Sequence, residues 1–338
     1  MKLGELPIIQ APMAGGPSTS QLTAAVARAG GFGFLAAGYL SPARLRAQIS
    51  ATRALSSFPF GVNIFCPSTP ADLGIVGRFA RVIQPVSDRL GVALGEPRWE
   101  DDAFDDKLEI VAAEQVSWVS FTFGCPSPST IDRLHRANCR VAVTVTSPAE
   151  ARFAEGAGTD LLVVQGTEAG GHQGSFLDLA PNVRPLLSLL DELRESTRIP
   201  LVASGGIMAG AQVAEVLNKG AVGAQLGTIF LCCPEAGTSA TYRRALLEGT
   251  YPDTVITRAF SGRYARGLAN EFALSYGEVA PEAYPEIHLL TRPLRVAAAE
   301  AGDPSVPNLW AGQGWRGARS ASAGAIVRRI ATELVSTS

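Results

Sequence analysis

The chain has 338 residues, 46% of them hydrophobic and 18% charged, with a formal net charge of −2. That much apolar side chain supports a large core and rules out a disordered chain, while 29 basic against 31 acidic residues leave no basic field for nucleic acid and no polybasic patch for a membrane. No apolar run approaches the roughly 20 residues that span a bilayer, and the first residues lack the charged region and apolar core of a signal peptide, so a cytoplasmic protein is expected.

Apolar runs bounded by turn residues predict eight strands, at 7–11, 33–36, 60–65, 118–122, 140–144, 161–165, 200–203 and 223–226. Most are apolar throughout rather than alternating, as strands buried on both faces of a parallel sheet are. Helical stretches lie between most of them. Residues 20–29 open on Ser20 as a cap, and 42–52 follow Ser41 with Pro42 at the first helical position. Ser147-Pro148-Ala149-Glu150 repeats that pattern and adds an acidic first turn. Residues 183–196 and 209–218 continue the series, and Asn218-Lys219-Gly220 ends it. This alternation predicts an α/β fold, a TIM (β/α)8 barrel, with a doubly wound open sheet as the alternative.

The alternation stops after Leu226. Residues 231–312, rich in Pro, Gly and Arg, are expected to form a small, mostly helical insertion subdomain over the barrel mouth; an irregular tail around the barrel is the alternative. Residues 1–230 and 313–338 would then make the barrel, with an amphipathic helix at 320–334 as its eighth helix.

Five cysteines, an odd number without a secretory signal, are expected to be reduced, and adjacent Cys232 and Cys233 lack the spacer of a zinc site. Three scattered histidines likewise predict no metal. His135 and His288 are expected on solvated surfaces, His288 with a subsidiary prospect of bordering a substrate pocket.

His172 differs. It follows the predicted strand 161–165 within Gln165-Gly166-Thr167-Glu168-Ala169-Gly170-Gly171-His172-Gln173-Gly174, framed by four glycines. Glycine allows positive φ and close backbone approach to a ligand, and histidine can exchange a proton near neutral pH. A polar loop after a buried barrel strand is where such folds keep their chemistry. Two more loops, Ala203-Ser204-Gly205-Gly206-Ile207 and Gln225-Leu226-Gly227-Thr228, end the seventh and eighth predicted strands. There, backbone amides and a helix N-terminus commonly hold a phosphate, with Thr228 adding a hydroxyl. The three lysines, Lys2, Lys107 and Lys219, make no P-loop. Sugar phosphates and flavin mononucleotide are the ligand candidates. The amides of Asn63 and Gln165 suit a flat heterocycle, although Asn63 can equally be a buried amide bonded to a neighbouring strand.

With these motifs in place, the chain resembles the nitronate monooxygenase family, formerly called 2-nitropropane dioxygenases, over nearly its whole length. The resemblance rests on Pro7-Ile8-Ile9-Gln10-Ala11-Pro12-Met13, Phe60-Gly61-Val62-Asn63, Ser120-Phe121-Thr122-Phe123-Gly124, the His172 segment, both glycine loops, Ser261-Gly262-Arg263 and Ala311-Gly312-Gln313-Gly314. It implies non-covalent FMN contacted by Asn63, Gln165, Gly170, Gly206, Gln225, Gly227 and Thr228, with His172 as the active-site histidine. It implies oxidation of alkyl nitronates, and in some members nitroalkanes, by O2 to a carbonyl compound and nitrite. His172 would hold the nitro oxygens or, when neutral, remove the α-proton of a nitroalkane; Glu168 is not expected to be its partner. An oligomer is compatible with the resemblance. Two departures bear on substrate: Tyr264 stands where proline is expected, and no lysine follows Lys219, whereas some members use a C-terminal lysine and tyrosine. Arg263, Arg266 and Tyr276 are the polar candidates in that part. Two other functions remain open: NAD(P)H-dependent, FMN-bound reduction of enoyl thioesters or quinones on the same fold, and a non-catalytic FMN- or phosphate-binding barrel.

Overall fold

The computed structural model describes residues 3–337. Met1, Lys2 and Ser338, and with them the start of the stretch read for a signal peptide, lie outside the described residues. Parallel strands β1 (Ile8–Gln10), β2 (Phe32–Ala36), β3 (Gly61–Phe65), β4 (Trp118–Thr122), β5 (Arg140–Val145) and β6 (Leu161–Gln165) continue past a short excursion, β7 (Gly171–His172), to β8 (Leu201–Ser204) and β9 (Gly223–Leu226). The order β1-β2-β3-β4-β5-β6-β8-β9 closes on itself, since β1 pairs with both β2 and β9. A barrel has no free edge, so the open-sheet alternative is excluded.

Side chains of one parity along these strands point inward. At the start of the strands they are apolar: Ile9, Phe32, Phe34, Trp118, Ala142, Leu161, Val163 and Val202 form a separate buried cluster. Gly61 is required there, because a Cβ would meet the Phe34 ring at 2.2 Å. One step further, the same parity places Asn63, Thr122, Thr144, Gln165, Ser204 and Gln225 on the wall of a cavity. The inward stripe thus changes from apolar to polar at the C-terminal end of the strands.

The helices follow the caps read from the sequence, with one shift. Helix α1 (Ser20–Arg28) is capped by Thr19, not Ser20: the Thr19 hydroxyl accepts the Leu22 amide at 3.0 Å. Ser41 caps α2 (Pro42–Leu55), and Ser127 and Ser147 cap α5 (Pro128–Arg136) and α6 (Pro148–Gly156). Unassigned in the sequence, α3 (Leu73–Leu90) and α4 (Phe104–Ala113) follow β3. Helices α7 (Leu186–Ser196) and α8 (Gly210–Asn218) flank β8. The last helix, α12 (Ala323–Thr337), packs on α8 and α1, the place of an eighth barrel helix. Its Glu333 takes the Gly210 amide at 2.7 Å, supplying the N-terminal cap that Ala209 cannot.

Between β9 and α12 the chain forms α9 (Ala240–Glu248), β10 (Thr254–Thr257), β11 (Ala265–Leu268), α10 (Glu271–Tyr276) and α11 (Glu286–Glu300). The sheet in this region is not foreseen by a helical reading: β10, β11 and β7 form an antiparallel sheet in that order. A second core joins this region to α3, with Val76, Phe79 and Ile83 packed among Phe260, Ile287, Leu290 and Leu294.

Candidate active site

Eight residues singled out in the sequence, His172, Asn63, Gln165, Gly170, Gly206, Gln225, Gly227 and Thr228, line one cavity of about 760 Å³ at the C-terminal end of the barrel strands. That is ample for a cofactor-sized ligand.

His172 is held from three directions. Its backbone is fixed in β7, opposite Ala265 of β11, and the Gln173 amide donates to Tyr264 O at 2.8 Å. The Gln165 side chain staples the loop: Nε2 donates to His172 O at 3.0 Å, and Oε1 accepts the Gly174 amide at 2.7 Å. Gly170 permits the fold-back, since a Cβ there would sit 2.4 Å from Gly312 N. On the ring, Nε2 lies 2.8 Å from Ser261 Oγ. The Ser261 hydroxyl donates to Arg263 O at 3.2 Å, so its oxygen accepts Nε2–H and leaves Nδ1 with a lone pair. Phe123, Tyr284 and Trp310 surround the ring at centroid distances of 5.5, 5.9 and 5.4 Å. Burial, reinforced by the positive charges of Arg263 and Arg295, pushes His172 from 6.5 down to about 3. The imidazole is therefore neutral at physiological pH. Glu168 is engaged elsewhere, its carboxylate accepting the Leu186 amide at 3.0 Å as the cap of α7.

The amides divide their roles. Asn63 donates through Nδ2 to Ser120 Oγ and Thr122 Oγ1, both at 3.0 Å on β4, and its Oδ1 has no partner among the described residues. The neighbouring-strand bond and an acceptor on the cavity wall thus coexist in one side chain. The Gln225 side chain, on the same wall, hydrogen-bonds to no described group.

At the ends of β8 and β9, the amides of Gly206, Gly227 and Thr228 donate to no described group. Gly205 and Gly206 have φ of +140° and +68°, which L side chains rarely adopt. Thr228 Oγ1 accepts the Gly312 amide at 3.0 Å, which leaves its hydroxyl proton for a ligand. Gly227 is informative for the opposite reason. Its φ is −113°, and a Cβ would approach no protein atom closer than 3.6 Å. No protein contact requires glycine there; the open space it preserves belongs to the cavity. The α8 N-terminus, blocked by Glu333, cannot assist, so an anion here would rest on loop amides and the first turn after β9. Such a cradle fits a phosphate ester.

Arg266 is not on the cavity wall; it clamps the chain before β7, its Nε donating to Thr167 O at 2.8 Å. Arg263 lies behind Phe123, 4.2 Å from that ring's centroid, and Tyr276 packs on Phe272. The polar wall comes instead from Tyr39, Arg292, Arg295 and His288. The expectation of a solvated His288 is overturned: it is 9% exposed and stacked on Tyr39 at 4.0 Å. Nothing in the run Glu286-Ile287-His288-Leu289 marks which helix face turns inward. Tyr39, φ +66°, lies three residues past the end of β2, and that place just beyond a strand end was the one signal available. Among the described residues no cluster of side chains has the composition of a metal site, and the cysteines are unpaired.

A model of the nitronate monooxygenase family matches residues 2–333. The chain belongs to the nitronate monooxygenase family. Among its relatives, a probable nitronate monooxygenase of Staphylococcus aureus (strain MSSA476) is 39% identical over 339 residues, covering 98% of this chain and 94% of the relative. One from Staphylococcus saprophyticus is 37% identical over 333 residues, covering 96% and 93%. Among solved structures, a nitroalkane oxidase from Streptomyces ansochromogenes superposes with a TM-score of 0.96 at 47% identity, covering 99% of this chain and 97% of that one. FabK from Thermotoga maritima superposes at 0.78 with 28% identity, covering 99% and 94%. As a nitronate monooxygenase family member, the chain is a flavin-dependent oxidoreductase. No helix among its described residues is long and apolar enough to cross a membrane.

Proposed function

We propose that this enzyme binds FMN and oxidises alkyl nitronates, and neutral nitroalkanes as well, with O2, to a carbonyl compound and nitrite. The observation that carries the reading is a neutral histidine, tied at Nε2 and free at Nδ1, on the same cavity wall as a glycine-built phosphate cradle. When bound, the flavin accepts electrons from the substrate and passes them to O2. Gly206, Gly227 and Thr228 would receive the phosphate. Asn63 Oδ1 and the Gln225 amide would meet the heterocycle, while Gln165 and Gly170 hold the histidine loop against it. The Nδ1 lone pair is open to a proton, so His172 would take the α-proton of a nitroalkane, the nitronate charge formed beside it offsetting the burial and arginine charges that otherwise disfavour the protonated ring. The aromatic collar of Phe123, Tyr284 and Trp310 limits water at that atom.

The test is direct. Purified protein should show oxidised-flavin absorbance, release FMN on heating, and be bleached anaerobically by a nitronate. Rapid bleaching by NADH or NADPH with no response to nitronate would replace this reading with a nicotinamide-dependent reductase. A colourless protein that cannot be reconstituted would remove the flavin altogether.

A further inference from the structure

The cavity contains a second histidine for which the proposed chemistry has no use. His288 on α11 is nine-tenths buried on the cavity wall. Its tautomer is set by Arg295 two helical turns later, whose Nη2 donates to His288 O at 2.9 Å and to Nδ1 at 3.3 Å. An Nδ1 that accepts leaves the proton on Nε2. That N–H meets no described acceptor and opens onto the cavity, where a ligand can reach it. Tyr39 stacks on the ring at 4.0 Å with planes 3° apart, so the ring cannot turn to find one. Tyr39 is itself anchored: its amide donates to Asp102 Oδ1 at 3.0 Å, and Asp102 is paired with fully buried Lys107 at 2.7 Å.

The local field favours an anion. Arg295 is 8% exposed, and none of its hydrogen-bond partners among the described residues is a carboxylate. It bonds only neutral groups: Thr291 Oγ1 at 3.0 Å, Asn308 Oδ1 at 2.7 Å, and His288. A buried guanidinium without a counter-charge is stabilised by a negative ligand nearby. Arg292 adds a second positive charge to the same wall.

We propose that His288 is a substrate-contacting residue whose fixed Nε2–H donates to an oxygen of the planar nitronate anion, with Arg295 as the positioning residue that locks the ring. The proposal rests on the nitronate reading above and adds to it a second histidine with a duty distinct from that of His172. His172 handles the proton, and His288 recognises the oxyanion.

The experiment uses flavin-loaded protein and two readouts. Nitrate, a planar and unreactive oxyanion, is titrated while the flavin absorbance is followed, and KM and kcat are measured with an alkyl nitronate. His288→Phe keeps a ring against Tyr39 but removes the donor; His288→Gln restores an N–H near the Nε2 position. Removing a hydrogen bond to a charged acceptor should raise the nitrate Kd and the nitronate KM about tenfold or more in the Phe variant, with kcat little changed. The Gln variant should stay within about threefold of wild type by the same measure. Arg295→Met should raise KM alone but add little in the His288→Phe background. If the Phe variant loses its flavin, His288→Asn, whose amide stops near Nδ1, takes its place and should show the same defect. Unchanged Kd and KM in the donor-free variant, a Gln variant as defective as Phe, or a wild type that binds no nitrate would overturn the proposal. A wild type that binds nitrate through His288 but oxidises no nitronate would overturn the function proposed above and leave the oxyanion site standing.

Discussion

His172 shows how a side chain acquires its chemistry from what touches it. Free histidine titrates near neutral pH, but here burial and the charges of Arg263 and Arg295 move it down to about 3. The basic form is then present at every pH above that value. For a neutral nitroalkane, kcat/KM should stay flat between pH 5 and 8. An acid limb near 6.5 in the pH–rate profile, absent in a His172 variant, would show that the ring titrates normally and would defeat this account. His172→Ala should retain FMN and lose nitroalkane turnover by about 10²–10⁴-fold, the usual contribution of a general base. Ser261→Ala removes the bond that selects the tautomer and should lower kcat by about tenfold, the equivalent of one hydrogen bond. His172 was legible because glycines frame it in the sequence. His288 was not, because its place depends on which face of α11 meets Tyr39.

At the scale of elements, the glycine loops separate structural need from ligand need. Gly170→Ala forces a Cβ to within 2.4 Å of Gly312 N, and such overpacking should cost about 1–3 kcal/mol whether or not flavin is present. Gly227→Ala meets nothing closer than 3.6 Å. Its melting temperature without flavin should match wild type, while its affinity for FMN falls. A destabilised flavin-free Gly227→Ala protein, or one that binds FMN normally, would contradict the cradle. The eight barrel strands were readable because each is a short apolar run between turn signals. The strands β7, β10 and β11 were not: β7 has two residues and β11 is Ala-Arg-Gly-Leu. Neither carries a period-2 pattern, and their pairing comes from segments far apart in the chain.

Across the whole molecule, folding buries two histidines, His172 and His288, in neutral form. Both have folded values below the unfolded 6.5, so the unfolded chain binds more protons under acid conditions. Their contribution is complete above pH 6.5 and is lost as pH falls below it, for His172 toward about 3. Flavin-free protein should lose roughly 2–3 kcal/mol for His172 alone between pH 7 and 4.5, measured by denaturant unfolding. His172→Phe should flatten that slope. An unchanged slope would show the ring charged in the folded state.

The sequence by itself determined the barrel and set His172 and the two glycine loops at one end of its strands, where they line a single cavity. These follow from short-range signals: apolar runs, caps, and glycines placed at strand ends. Only the tertiary structure decided what faces His172. The Ser261 contact spans 89 positions in the chain, and the pairing of α3 with α11 closes a second core from distant segments. Proton state, tautomer and the second histidine all depend on those long-range contacts, because desolvation and hydrogen-bond direction are set by neighbours in space rather than in sequence.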